Sequence, residues 1–219
     1  MLETMRDFFN SRADGYEQHQ LNAIASAKEF YPFTAAQLPM TRAARVLDLG
    51  CGTGLELGYY FRLNPSAKVT GIDLAEKLLR ILKEKHSEND LTVIHGSYFD
   101  IPFGESLYDA AVSVESLHHF TKDEKVPLYA KVHAALKPGG YFLLTDYFSL
   151  SNDEETFFRQ ELLRLKASQG ICGNEFYHYD TPLTAQHETE ALQAAGFSQV
   201  TILGQWGPTY TIKAQKTPA

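Results

Sequence analysis

VLDLGCGTGLELG, residues 46–58, decides how this chain is read. An apolar run broken only by Asp48 ends at Leu49, and three of the next five residues are Gly50, Gly52 and Gly54. A strand that sheds its side chains in this way leaves bare backbone at its carboxyl end. Glycine lets a ligand approach the main chain, and a helix starting just beyond it offers unpaired N–H groups. The stretch predicts strand 45–49, a ligand-binding loop, and a helix over 55–63 that Asn64-Pro65 stops.

Working outward, the same alternation repeats. Strands are expected at 68–73, 91–95, 109–114 and 141–146, with helices over 74–85 and 125–136. The second helix ends at Lys137-Pro138-Gly139-Gly140. Residues 109–114 are small and apolar, as in a strand covered on both faces. Five alternations predict an α/β, Rossmann-like, seven-stranded and mostly parallel sheet with helices on both faces. Strands at 198–203 and 209–214, after a helix over 183–195 that Gly196 caps, read as a C-terminal antiparallel strand pair at one edge. Residues 3–30 read as helical with a break at Asp14-Gly15. Residues 149–182 interrupt the pattern with one amphipathic helix, 153–168, whose Phe157, Phe158, Leu162 and Leu165 are expected in the core.

The 219 residues suit one domain, and 44% hydrophobic with 21% charged residues allows a sizeable core. The net charge of −7 lacks a basic run, which disfavours nucleic acid and membrane surfaces as partners. The two cysteines, Cys51 and Cys172, form no framework and read as reduced thiols. MLETMRDFFN does not read as a secretory leader, and no window approaches the roughly 20 apolar residues of a membrane helix. The expected location is cytoplasmic.

Asp73 ends the second strand about 20 residues beyond the loop, where a carboxylate accepts ribose hydroxyls. The glycine spacing is GxGxG, and Leu55 stands where a dinucleotide fingerprint needs its third glycine. Asp48 would repel a pyrophosphate but would accept from an ammonium group. The ligand that fits is a nucleoside with a cationic tail and no phosphate, S-adenosyl-L-methionine, with S-adenosyl-L-homocysteine as product.

VLDLGCGTG (46–54), VTGIDLAEKLL (69–79), GSYFDIPF (96–103), YDAAVSVESLHHF (108–120) and LKPGGYFLLTDY (136–147) together resemble the class I S-adenosylmethionine-dependent methyltransferases that act on small molecules. FFNSRADGYEQH (8–19) resembles the amino-terminal lid helix of that group. The resemblance implies one methyltransferase domain over 1–219, with lid helices in 1–30 and a cofactor-binding core in 46–147. It implies that Asp48, Gly50, Cys51 and Gly52 hold the methionine end and Asp73 the ribose. Leu74 packs on the adenine and Tyr98 offers it a backbone N–H. Ser97 stands where the family usually has an acid, and a neutral acceptor is weaker than a charged one. Asp100 is the nearby substitute. Val114 completes the cofactor set, and Tyr16, with Arg12, closes over the methionine end.

Methyl transfer from a sulfonium is an in-line displacement that needs positioning first, and a base only when the acceptor arrives protonated. His118, His119 and Asp146 are the expected catalytic side chains, with Tyr147, Tyr177 and His178 as substrate contacts. Residues 148–182 lie outside that resemblance and are expected to form a substrate lid with an aromatic wall, Phe176 to Tyr179. His178, Asp180 and His187 form too loose a pattern to predict a metal, and none is expected. Trp206 reads equally as a stacking or an interface residue. The expected partner is a small molecule, on a monomer or homodimer. Methylation of RNA or protein, another reaction of the same cofactor, or non-catalytic binding of it remain alternatives. Strand 109–114 continues without the Asn/Asp-Pro-Pro-Tyr/Phe signature that grips a flipped amino base.

Overall fold

The computed structural model describes residues 1–173 and 175–218; Asn174, within the 148–182 segment, and Ala219 lie outside them. Helices α1 (Met5–Ser11), α2 (Tyr16–Ala23) and α3 (Ala27–Ala36) precede strand β1 (Arg45–Leu49). There follow α4 (Leu55–Leu63), β2 (Lys68–Asp73), α5 (Glu76–Lys85), β3 (Asp90–His95), β4 (Tyr108–Val114), α6 (Lys122–Ala135) and β5 (Leu136–Tyr147). The chain closes with α7 (Asn152–Ser168), α8 (Ala185–Ala194), β6 (Gln199–Trp206) and β7 (Thr209–Gln215).

Among the described residues the sheet has seven strands in the order β3-β2-β1-β4-β5-β7-β6. The first four neighbouring pairs are parallel, and β7 is antiparallel to both β5 and β6. The order reverses between β1 and β4, so the ends of β1 and β4 flank the place where ligands bind in such sheets.

The period of two decides which face each residue serves. Leu47 and Leu49 pack with Leu128 and Val132 of α6, while Val46 packs with Phe30 of α3 and Leu57 of α4. Asp48 shares the parity of Val46 and so belongs to the α3–α4 side. Three buried threonines, Thr34, Thr145 and Thr211, pin α3 to β5 and β7 by hydroxyl contacts of 2.6 and 2.8 Å.

Several boundaries differ from expectation. The amino-terminal helices break again at Ser26, whose φ of 58° is left-handed, and α3 then runs through Pro32 to Ala36. Helix α5 starts at Glu76, not residue 74, because Asp73 Oδ1 takes the Ala75 N–H at 2.7 Å. A capping box of Thr121 and Glu124 starts α6 earlier than expected, at Lys122. Leu136 already pairs with Tyr108, and Lys137–Gly140 forms a bulge inside β5 rather than a turn before it. Helix α7 has no buried residue, and Phe157 is 61% exposed. The expected core role of Phe157, Phe158, Leu162 and Leu165 is therefore corrected: their helical spacing marks a half-covered face. Trp206 stacks edge-on against Phe33 of α3, 5.0 Å between ring centres.

Candidate active site

The three glycines answer to different neighbours. All have positive φ, between 48° and 74°. A Cβ on Gly50 would lie 2.1 Å from Ser116 Oγ, and one on Gly54 would lie 2.4 Å from Leu82 Cδ1. Packing of the protein itself demands those two. At Gly52 the nearest atom is the Tyr16 ring, 3.7 Å away, so this bare backbone faces the cavity under α2. The Cys51 thiol is buried against Gly71, which leaves only its backbone for a ligand.

Asp73 closes the loop. Its Oδ2 accepts the Gly52 N–H at 2.9 Å and its Oδ1 that of Ala75. Burial raises its carboxyl above the ordinary range while the two backbone donors pull it down. Each oxygen keeps a lone pair for a further donor. Asp73, Leu74, Ser97, Tyr98, Phe99 and Phe176 line a narrow pocket beside the glycine loop. Ser97 is on its wall, whereas Asp100 is exposed and off it, so Asp100 does not substitute there. Sequence reasoning missed Lys131. Its ammonium reaches from α6 to the carbonyls of Tyr98, Phe99 and Ile101 at 2.5–3.0 Å and fixes this loop.

Tyr16, Tyr31, Gly50, Gly52, Thr53, Glu56 and Val114 surround a small cavity at the other end of the loop. Glu56, also missed, is buried in the first turn of α4. The available signal was an acid two residues beyond the loop. The Arg12 guanidinium lies over the Phe8 ring, pairs with Glu3 at 3.0 Å and lines the cavity beneath α1 and α2.

A second cavity, about 700 Å³, lies between α1–α2 and the end of β4. Phe8, Phe9 and Ile24 supply its apolar wall, and Glu115, His118, His119, His178 and Asp180 its polar wall. Asp146, at the end of β5, is buried and accepts the Leu117 N–H at 2.8 Å and His118 Nδ1 at 2.5 Å. It orients His118 from behind. Asp180 Oδ1 stands 3.1 Å from His119 Nδ1 and 3.6 Å from His118 Nε2. Burial lowers His118, but Asp146, joined by Asp180 and Glu115, outweighs it and pushes the ring up to about 9. Burial and the charge on His118 push His119 down to about 4. Burial beside Asp146 pushes Glu115 up to about 8. One imidazole is thus charged and its neighbour neutral across the neutral range.

The 148–182 segment reaches the site through a short extended stretch. Tyr177 bridges Thr4, the Met5 N–H donates to Phe176 O at 3.0 Å, and the His178 N–H donates to Glu3 O at 2.9 Å. Alternation turns Phe176, His178 and Asp180 inward. The Tyr177 ring turns outward beneath Lys166 of α7, so its expected substrate contact is corrected. Tyr147 packs edge-on against the His118 ring, 6.0 Å away, outside the cavity wall. His187 pairs with Glu155 at 2.8 Å and does not join His178 and Asp180. Among the described residues two trios converge, each with potential ligand atoms within 4.8 Å of one another: His118, His119 and Asp180, and Glu115, His118 and Asp146.

Residues 46–140 match the family described as "Methyltransferase domain". Over 130 residues the chain is 35% identical to a fatty-acid O-methyltransferase of Mycolicibacterium smegmatis, covering 59% of this chain and 46% of that protein. Over 109 residues it is 33% identical to a tRNA (carboxymethyluridine(34)-5-O)-methyltransferase of Arabidopsis thaliana, covering 49% of this chain and 25% of that protein. The chain spans less than half the length of either relative. Human N-acetylserotonin methyltransferase, solved with S-adenosylmethionine, shares the fold with a TM-score of 0.63 at 20% identity, over 96% of this chain and 55% of that one.

Proposed function

We propose, from the class I S-adenosylmethionine-dependent methyltransferase domain that this chain carries, that it methylates a small-molecule acceptor whose nucleophile arrives protonated. One observation carries this reading: the nucleoside pocket and the 700 Å³ cavity share Phe9, Tyr16 and Glu115 as walls. The methyl donor and the acceptor would meet there. In this reading Asp73 holds the ribose, Leu74, Ser97 and Tyr98 hold the adenine, and Gly50, Cys51, Gly52, Asp48, Tyr16 and Val114 hold the methionine end. The bound cofactor supplies a methyl group on a sulfonium. The unpartnered buried oxygens of Asp48 fit its cationic tail.

His119 is the base in this proposal. It is neutral at neutral pH, and its Nδ1–H on Asp180 leaves Nε2 to take the acceptor proton. His118, held charged by Asp146, stabilises negative charge developing on the acceptor. Residues 1–30 and 148–182 act as lids over the 46–147 core, within a single domain spanning 1–219. The apolar wall of Phe8, Phe9 and Ile24 suits an acceptor with an apolar body.

A second reading rests on the convergence of His118, His119 and Asp180. Two imidazoles and a carboxylate suit a divalent transition-metal ion, which would activate the acceptor in place of His119. Turnover that survives prolonged chelation rejects it. The test of the main reading is S-adenosylhomocysteine release with a panel of small hydroxyl, carboxyl, amine and thiol compounds, and with tRNA as a parallel arm. Release with a small compound is the expected result; release with tRNA alone overturns it.

A further inference from the structure

Three buried carboxylate oxygens near the glycine loop meet no donor: Oδ1 and Oδ2 of Asp48, and Oε1 of Glu56. Asp48 is 1% exposed and Glu56 4%. The parity of β1 turns Asp48 toward α4, and Glu56 sits in the first turn of that helix. Their carboxyl groups lie within hydrogen-bond reach of each other. Two carboxylates so close in a dry site do not both ionise; they hold one proton between them. Burial raises both, Asp48 strongly. Buried groups of this kind call for a reason, since native proteins leave few polar atoms without partners.

Among the described groups around the pair, the one cation is already engaged elsewhere. Asp73 ends β2, the Cys51 thiol lies in the loop, Tyr16 and Glu17 come from α2, Tyr31 from α3, and Glu115 follows β4. Lys85 of α5 is the cation among these groups, and Glu17 holds it. Glu56 also lines the small cavity at the methionine end of the loop. Thr53, on the same wall and 1% exposed, has a hydroxyl that is likewise without a partner. Unpartnered acceptors of Glu56 and Thr53 therefore stand on one wall of this cavity, with the Asp48 carboxyl beside that of Glu56.

We propose that Asp48 and Glu56 form a proton-sharing dyad that receives the α-ammonium of the cofactor, and that binding expels the shared proton. The proposal rests on the S-adenosylmethionine reading above. On binding, the carboxyl O–H bond breaks and its proton leaves to solvent. The ammonium keeps its own protons and donates to the two carboxylates. A nucleoside lacking the amino-acid tail leaves the dyad's proton in place.

Calorimetry at pH 7, in two buffers of different ionisation enthalpy, reads this directly. S-adenosylhomocysteine is expected to release on the order of one proton, and its affinity to rise with pH by up to about tenfold per unit below the dyad's titration. 5′-Methylthioadenosine, which has no ammonium, is expected to bind without release. This control separates the dyad from Asp73 and Glu115, which any nucleoside would meet. In Glu56→Gln the release linked to S-adenosylhomocysteine is expected to vanish while methylthioadenosine still binds. Asp48→Asn, expected to do the same, serves should the first variant not fold. Binding of S-adenosylhomocysteine with no proton exchange, or undiminished release in folded variants, overturns the dyad but leaves the cofactor reading intact. Failure of both nucleosides to bind the wild type overturns the cofactor reading and the dyad with it.

Discussion

Asp73 fastens the glycine loop through the Gly52 N–H, and in the proposed function the same carboxylate holds the ribose hydroxyls. Charge-assisted bonds contribute about 1.5–3 kcal/mol each. Asp73→Ala is therefore expected to weaken S-adenosylhomocysteine roughly tenfold or more, with the circular dichroism of the fold unchanged; equal affinity by calorimetry rejects the assignment. The histidines differ in a measurable way. With His119 at about 4 and His118 at about 9, turnover is expected to be bell-shaped, with limbs near those values. His119→Ala should lower it by about 10²–10⁴-fold, and a wild-type profile that only begins to rise near pH 9 would make His118 the base instead. The linkage has a definite sign. His118 is raised on folding above the ordinary value of about 6.5, so its stabilising contribution is complete below that value and is lost as pH rises to about 9. Denaturation midpoints of wild type and His118→Gln should therefore converge as pH approaches 9.

At the scale of elements, the stretch 176–180 shows what the sequence could and could not reveal. Its aromatic and histidine content pointed to the site, but its period of two was unread because the segment it pairs with lies at the other end of the chain. Its partner is residue 4, joined through a single bridge. Only with that pairing in hand do His178 and Tyr177 separate, the first stacked on Phe8 at 3.4 Å and the second facing α7. His178→Ala is expected to spare cofactor binding and reduce turnover tenfold or more, the equivalent of about 1.4 kcal/mol in the transition state. Tyr177→Ala is expected to turn over like the wild type. Equal effects from the two variants would mean that the stretch acts through its backbone alone. Helix α7 teaches the complementary lesson: periodicity identifies an amphipathic helix, and Phe157 shows that it does not identify what covers the apolar face. The core from β1 to β5 was legible because each strand and helix announces itself locally. Asp73, at the end of β2, could be placed by counting from the glycines.

Across the whole molecule, two lysines that escaped sequence reading have partners distant in the chain. Lys131 seals the 98–101 loop about 30 residues upstream, and Lys125 is the more extreme case. It lies in α6, is 1% exposed, and donates to Glu188 Oε2 of α8 at 2.6 Å, while the Tyr129 hydroxyl donates to the other oxygen. A lysine amid polar helical neighbours reads as solvated, because nothing local records an acid 63 residues away. This buried triad joins α6 to α8 and so ties the segment after 182 to the β1–β5 core. Removing one partner strands the other charge in a dry site, which costs about 3–5 kcal/mol. Lys125→Met is expected to lower the unfolding free energy by that amount in urea titrations and, since it touches neither cavity, to leave the affinity for S-adenosylhomocysteine at the wild-type value. Lys125→Met/Glu188→Gln, which removes both charges and keeps an acceptor for Tyr129, is expected to recover most of the loss. A double variant no more stable than the single one would show that Lys125 contributes through the packing of its methylene chain rather than by balancing Glu188.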